Sequence, residues 1–308
     1  MYRLILVPLD GTAFSEHALP LATTIATAAG SPLRLVRVAM PPALGTELYG
    51  AAVLDAAGID EMRRESERYL RVLAGEVAAA RSLDVTPVVL AGGLPNALVE
   101  YTRESGADLV VMTTHDRGRL ERLVLGSVAE SVVRAGTVPV LLVRPTEGAP
   151  AVDRPPALSH VLIPLDGSAL AHEVIPHAVR IAMLLRMEMT LLAVVDPTLA
   201  LASRGAGEES AAHVSRRDVD GGTDLGTDFL DRTAEPLRAQ GLAVYTRVLT
   251  DRQPAHAIVT YAKERAVDLI AMTTHGRGAV GRLFAGSVAE EVLHASPTPV
   301  LMYRPPPQ

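Results

Sequence analysis

Short apolar runs alternate with longer amphipathic segments along this chain. In the first half the runs are Tyr2–Leu9, Leu33–Val38 and Val85–Leu90, and each is short and mainly aliphatic, which predicts buried strands. Segments with apolar residues at helical spacing follow them, so a helix is predicted after each strand. A chain that alternates strand and helix in this way favours a parallel sheet with helices on both faces.

The second half repeats this order, with strands predicted at Val161–Leu165, Met189–Val195 and Ala243–Leu249. The strongest repeat aligns Asp108–Pro145 with Asp268–Pro305, where 22 of 38 positions are identical. Each copy predicts a buried strand, a Gly- and Arg-rich loop, a Gly-Ser pair that opens a helix, and a Pro-flanked strand. The fold class is therefore α/β, as two tandem repeats. Each repeat is a doubly wound, mostly parallel five-stranded sheet.

The Pro-rich stretch 147–158 predicts a linker between domain 1–146 and domain 159–308. Two further expectations concern local structure. Single helices are predicted at Ser15–Ala29 and Ala169–Arg186, each with a proline in or near the first turn. The segment Ser203–Gly226 is rich in Gly, Ser, Asp and Arg, which predicts mobility or disorder.

Composition narrows the classes of function. A net charge of −6 and 3% aromatic residues argue against a nucleic-acid surface, because such surfaces need a basic excess and stacking platforms. The absence of cysteine excludes disulfides, thiolate metal sites and cysteine nucleophiles. No leader-like or membrane-length apolar run occurs, so we expect a soluble, cytoplasmic protein without membrane partners.

Asp10 and Asp166 follow the first strand of each half in the sequence Pro-Leu-Asp-Gly. In a doubly wound sheet these residues lie at the carboxyl edge, where ligands bind. A carboxylate there can accept hydrogen bonds from a ribose or an amino group. The alternative is that Asp-Gly makes a tight turn in which the carboxylate accepts backbone N–H bonds.

The pairs Gly126-Ser127 and Gly286-Ser287 precede the last helix of each half. A glycine beside a helix N-terminus permits close approach by phosphate oxygens, which the helix dipole attracts. The alternative is a capping box, because Ser127 and Ser287 are each followed three residues later by glutamate.

His115 and His275 recur in the repeated loop, but no Cys, His or acidic residue stands near them at ligand spacing, which favours loop packing over metal binding or catalysis. The sequence offers no Ser-His-Asp set, no acidic dyad and no P-loop lysine. An enzyme, at most a slow ATPase, is therefore the third interpretation.

These motifs resemble the universal stress protein family. Its opening strand with aspartate matches VPLDG and IPLDG, and its closing block matches GS-V-x-E followed by P-V-L in both halves. The resemblance covers both halves nearly end to end. It implies a Rossmann-like domain of the adenine nucleotide alpha hydrolase type in each half, paired as a pseudo-dimer through the closing strands, with a homodimer also allowed.

The nucleotide-binding branch of that family carries G-x-x-G, nine residues, then G-(S/T). The second half fits except that Thr273 replaces the first glycine, which is tolerable where the backbone is extended. The resemblance also places Val194 beside the adenine through its backbone and Asp166 near the adenosine. The cofactor-binding residues implied in the second half are Pro164, Asp166, Val194, Met272, Thr273, His275, Gly276, Gly286 and Ser287.

The first half departs further, because Thr113 and Asp116 replace both early glycines. The residues that it retains are Asp10, Val38, Gly126 and Ser127. Asp116 also adds a negative charge near the expected phosphates, at a cost on the order of 1–4 kcal/mol. We therefore expect the first half to bind nucleotide weakly or not at all.

The leading interpretation is a stress-response sensor or interaction module. Its second half would bind ATP, with AMP or ADP as alternatives, together with Mg²⁺. The alternative is a structural or partner-binding stress protein that takes no nucleotide. The missing glycines favour that alternative.

Overall fold

A computed structural model gives the fold. It describes residues 1–39, 56–114, 126–136, 138–146, 148–150, 154–197, 216–274 and 287–305. By its internal contacts the chain divides into two compact units, Met1–Ala157 (unit 1) and Leu158–Gln308 (unit 2). Within the described residues, no helix combines the length and apolar character that crossing a membrane requires.

Unit 1 alternates strands and helices. Its strands are β1 (Ile5–Pro8), β2 (Leu33–Ala39), β3 (Val85–Ala91), β4 (Leu109–Thr113) and β5 (Val140–Val143). Its helices are α1 (Ala13–Glu16), α2 (Leu19–Ala29), α3 (Ala56–Arg81), α4 (Asn96–Glu104) and α5 (Ser127–Ala135).

Unit 2 repeats this order. Its strands are β6 (His160–Pro164), β7 (Glu188–Val195), β8 (Val244–Thr250), β9 (Leu269–Thr273) and β10 (Val300–Tyr303). Its helices are α6 (Ala169–His172), α7 (Ile175–Leu185), α8 (Arg216–Ala239), α9 (Pro254–Glu264) and α10 (Ser287–Ala295).

The strands of unit 1 lie in the order β3-β2-β1-β4-β5, and each neighbouring pair is parallel. Unit 2 has the corresponding order β8-β7-β6-β9-β10, again parallel throughout. Right-handed crossovers place α1–α3 on one face of the first sheet and α4–α5 on the other. Contacts between α2 and α3 and between α4 and α5 agree with this arrangement. The predicted doubly wound parallel sheet is confirmed.

The two helices predicted to be continuous after β1 and β6 are each broken into a short and a long helix. Pro20 and Pro176 lie in the first turns of the long helices α2 and α7, not of the short ones. Proline lacks an N–H and its ring clashes with the carbonyl four residues earlier, so a helix starts beside it more readily than it runs through it. The prediction of single helices was wrong for this reason.

The predicted disorder of Ser203–Gly226 was wrong for 216–226, which belong to α8, while 203–215 lie outside the described residues. The sequence is polar, but α8 buries Leu230, Ala234 and Leu237 against its sheet. A Cβ atom added to Gly226 would lie 3.4 Å from both methyl carbons of Val248. Gly226 therefore lies at the contact between this helix and β8.

Asp108 and Asp268, the first residues of the strongest repeat, connect the start of β4 or β9 to the start of its neighbour. One carboxylate oxygen of Asp268 accepts bonds from Ser159 N (2.7 Å), Ser159 Oγ (2.9 Å) and His160 N (3.0 Å). Asp108 accepts corresponding bonds from the backbone of Arg3 and Leu4. These aspartates lie at the amino ends of the strands, so their repetition reflects sheet assembly.

His177 of α7 packs its ring against Tyr303 of β10, with ring centroids 4.1 Å apart. Burial lowers the pKa of His177, and the nearby Arg180 lowers it further, against an opposing effect of Glu173. Leu21 stands at the corresponding position of unit 1, 156 residues earlier. Unit 2 therefore contains a half-buried titratable ring where unit 1 contains a hydrocarbon side chain.

Replacing Asp268 by alanine should lower the free energy of unfolding by about 2 kcal/mol, because the backbone N–H groups of Ser159 and His160 lose a charged acceptor. Asp268→Asn is the matched control, since one amide oxygen can occupy the position of the oxygen that accepts all three bonds. Urea unfolding of both variants measures the difference. Equal losses in the two variants would contradict the assignment.

Because the pKa of His177 in the folded chain lies below its usual value of 6.5, the unfolded chain binds more protons at mildly acidic pH. The stability contributed by neutral His177 is complete above 6.5 and is lost as the pH falls through the lower, folded-state pKa. His177→Leu should remove this component. Urea unfolding across a pH series would test it, and parallel curves for the two proteins would refute it.

Candidate functional site

The carboxyl edge of each sheet opens beside its central strand. β1 pairs with β2 over its whole length, but it pairs with β4 only at Ile5 and Leu6. β6 pairs with β9 only at Val161 and Leu162 in the same way. The strand order reverses at this place, and ligands of doubly wound sheets bind in the crevice outside the strand ends there.

Asp10 and Asp166 each close a turn directly after the central strand. One carboxylate oxygen of Asp10 accepts a bond from Thr12 N at 2.9 Å, and that of Asp166 accepts one from Ser168 N at 2.9 Å. The following glycines have φ of +89° and +78°, which explains the Asp-Gly pair. The turn interpretation is confirmed for both residues. Contact of either carboxylate with adenosine stays a prediction.

The backbone of Val194 points toward the end of the central strand. Leu165 N donates to Leu192 O at 2.8 Å, so the polar groups of Leu192 face β6. In a strand these groups alternate sides, and those of Val194, two residues later, face the same way. The ladder between β6 and β7 ends at Pro164 and Leu192. The N–H and C=O of Val194 are therefore directed past the end of β6.

Unit 1 has the same geometry, because Leu9 N donates to Val36 O at 2.8 Å and the ladder between β1 and β2 ends at Pro8 and Val36. Val38 therefore directs its N–H and C=O past the end of β1. We call the space between this backbone and the Asp-Gly turn the edge slot of each unit. A planar base edge that carries one donor and one acceptor matches the two backbone groups.

Pro164 ends β6 and is half-buried at the edge slot of unit 2. Met272 and Thr273 are the last residues of β9, and these two residues are only 7% and 8% exposed. Thr274 N donates to Tyr303 O at 3.0 Å, which fixes the end of the strand. The extended backbone at Thr273 satisfies the condition under which a threonine is tolerable in place of the first glycine.

The capping-box interpretation was wrong for Ser127. Gly126 is the N-cap of α5 and Ser127 is its first helical residue, with no side-chain bond at the cap. Glu130 forms an ion pair with Arg134 one turn later. A capping box needs its serine at the N-cap, but Ser127 already lies inside the helix. The exposed Ser127 and the neighbouring N–H groups therefore form the open end of the helix.

Ser287 is likewise the first residue of α10 and is exposed. The loop residues His275, Gly276 and Gly286 lie outside the described residues, as does Asp116 of unit 1. Among the residues that the structure describes, no three His, Asp or Glu side chains cluster as a metal site.

Unit 1 carries a cluster beside its edge slot that the sequence did not reveal. The Arg37 guanidinium lies over Gly11, and its Cζ atom is 5.4 Å from the centroid of the Tyr69 ring. The Tyr69 hydroxyl donates to Glu16 Oε1 at 2.8 Å. Burial raises the pKa of Tyr69 well above its usual range, and the bond to Glu16 raises it further, so Tyr69 is a neutral donor.

Unit 2 has different side chains at the positions that correspond to this cluster. Ala193 corresponds to Arg37, because Val36 and Leu192 occupy the same register against Pro8 and Pro164. His172 corresponds to Glu16 and Phe229 to Tyr69. The rings of His172 and Phe229 meet edge to face, with their centroids 5.3 Å apart. The sequence indicates this difference, because Arg37 and Ala193 occupy the same position in the otherwise similar strands β2 and β7.

Comparison with known proteins places both units in one family. The family model described as Universal stress protein family matches residues 1–144 and again 158–304. A universal stress protein of Mycobacterium tuberculosis is 28% identical over 317 aligned residues, which cover 97% of this chain and 96% of that protein. Another from Methanocaldococcus jannaschii is 30% identical over 148 residues, 47% of this chain and 82% of that protein.

A solved structure agrees in fold over the whole chain. The crystal structure of a universal stress protein from Archaeoglobus fulgidus matches with a TM-score of 0.70 at 20% identity, covering 98% of each chain. The chain belongs to the universal stress protein family, as a tandem member with one family domain in each half.

Proposed function

We propose that unit 2 binds ATP or a related adenine nucleotide and that the protein acts as a nucleotide-dependent sensor or interaction module in a stress response. The observation that carries this proposal is the direction of the Val194 backbone past the end of β6, above the Asp166 turn. The N–H donor and the C=O acceptor of Val194 match the N1 and N6 edge of adenine, and Asp166 offers an acceptor to the ribose.

The phosphates would extend from the edge slot toward the start of α10. The first helical residues there present N–H groups and the positive end of the helix dipole, which attract anions. Gly286 precedes Ser287 in the sequence and gives the phosphates room to approach. Arg277 and Arg282 supply positive charge in the preceding loop. Mg²⁺ would then be held mainly by the phosphates, as is usual for this ion.

Unit 1 would bind nucleotide weakly or not at all. Its loop carries Asp116 where unit 2 carries Gly276. A carboxylate close to the phosphates costs on the order of 1–4 kcal/mol in a partly screened setting. One strong site for each chain follows from this difference.

A partner-binding protein without a nucleotide is the second candidate, and Thr273 in place of the first pattern glycine favours it. A slow ATPase is the third, because the sequence supplies no evident general base or P-loop lysine. ATP that is neither bound nor co-purified would select the second candidate. Turnover that falls on Asp166→Ala would select the third.

Isothermal titration with ATP and Mg²⁺ should give one equivalent for each chain. Gly286→Asp should abolish the binding heat, because a carboxylate would face the phosphates. Gly126→Asp is the matched control and should leave the stoichiometry unchanged, since its N-cap backbone at φ −58° and ψ 144° suits aspartate. Two equivalents in the wild type would contradict the role given to Asp116.

Asp166→Ala should weaken ATP binding roughly ten- to a hundredfold, because one charge-assisted hydrogen bond is worth about 1.5–3 kcal/mol. The variant also loses the turn bond to Ser168 N. Asp10→Ala loses the corresponding bond to Thr12 N in unit 1 and should leave ATP binding unchanged. Equal weakening in both variants, measured by titration, would contradict a single site in unit 2.

A further inference from the structure

We propose that Arg37 closes the edge slot of unit 1 to a nucleotide base, and that Ala193 leaves the slot of unit 2 open. This inference rests on the proposed function, since it explains why only one of two similar units accepts adenine. It adds the Arg37/Ala193 position on β2 and β7 to the loop difference between Asp116 and Gly276 as a determinant of which unit binds.

The Arg37 guanidinium lies over the Asp-Gly turn that bounds the edge slot of unit 1. A Cβ atom built on Gly11 would lie 2.8 Å from its Cζ and 2.9 and 3.0 Å from its two terminal nitrogens. The planar group is therefore stacked closely on the Asp-Gly turn. Val38 follows Arg37 directly and directs its backbone groups toward the same end of β1. A base that bonded to Val38 would meet the guanidinium above the turn.

The guanidinium is also held in this position by Tyr69. Its Cζ is 5.4 Å from the centroid of the Tyr69 ring, within the range of a cation–π contact. The Tyr69 hydroxyl donates to Glu16 Oε1 at 2.8 Å, which ties the ring of α3 to α1. An arginine on a flexible surface would swing away from a ligand at little cost. Here displacement breaks the contacts of the guanidinium with Gly11 and with the Tyr69 ring.

Unit 2 has no arginine at the position of Arg37. The methyl group of Ala193 replaces the long side chain at the same register of β7. Phe229, 160 positions after Tyr69, has no hydroxyl to anchor it, and its ring instead meets His172. The Nδ1 atom of His172 forms a hydrogen bond with Ser168 O at 3.0 Å, four residues earlier in the chain. Neither His172 nor Phe229 carries the positive charge and reach of an arginine, and among the described residues of β7 the position of Arg37 is an alanine.

Arg34 provides a matched control on the same strand. Its guanidinium donates to the Tyr101 hydroxyl at 2.9 Å and lies 5.9 Å from the centroid of that ring. Three positions separate it from Arg37, so the two side chains lie on opposite faces of β2. Replacing Arg34 removes a similar Arg–Tyr pair from unit 1 but leaves the guanidinium over Gly11.

The test uses the full chain in an Asp116→Gly background, which removes the loop carboxylate of unit 1. Titration with ATP and Mg²⁺ counts the sites, and photolabelling with azido-ATP followed by peptide mapping assigns them to a unit. Asp116→Gly alone and Asp116→Gly with Arg34→Ala should still label unit 2 only. Asp116→Gly with Arg37→Ala should label unit 1 as well and tighten binding there by on the order of tenfold.

The outcomes separate the two proposals. Labelling of unit 1 while Arg37 is present, or no labelling after its removal, would overturn the closure by Arg37. Labelling of unit 1 in the Arg34→Ala control would do the same. Wild-type protein that binds no ATP would overturn the proposed function of unit 2. In that case, labelling of unit 1 only after Arg37→Ala would still support the closure.

Discussion

The hydrogen-bonding requirement of a parallel strand is the constraint on which the candidate site depends. A central strand must satisfy neighbours on both sides, yet β1 and β6 stop at a proline while the adjacent β2 and β7 continue. The backbone groups of Val38 and Val194 therefore extend past their last strand partner on that side. Backbone groups that lack a strand partner still need hydrogen bonds, so such an edge binds either water or a ligand of matching shape.

The two units share one backbone arrangement at this edge but differ in the side chains beside it. Both have the same strand order, the same Asp-Gly turn and the same opening of the ladder beside the central strand. Unit 1 places a cation over its turn and fixes it with a tyrosine, whereas unit 2 has an alanine at that position. Duplication of a domain thus preserves the backbone geometry while single positions set the chemistry of each copy.

Repetition within the sequence has more than one physical cause. Asp10 and Asp166 recur at the carboxyl edge, where the candidate ligand site lies, and both also hold their own turns. Asp108 and Asp268 recur at the opposite edge, where they accept backbone bonds that join neighbouring strands. A repeated carboxylate is therefore informative about function only once its edge of the sheet is known.

The sequence by itself determined the alternation of strand and helix, the parallel sheet, the two copies and the family, because hydrophobic periodicity and glycine-bearing turns are local properties. It failed where distant residues decide the outcome. Residues 216–226 belong to a helix whose later residues Leu230, Ala234 and Leu237 pack on the sheet, and the serine of the apparent capping box lies one position inside α5. Only the tertiary structure brought Arg37, Gly11 and Tyr69 together, since their contact joins three elements far apart along the chain.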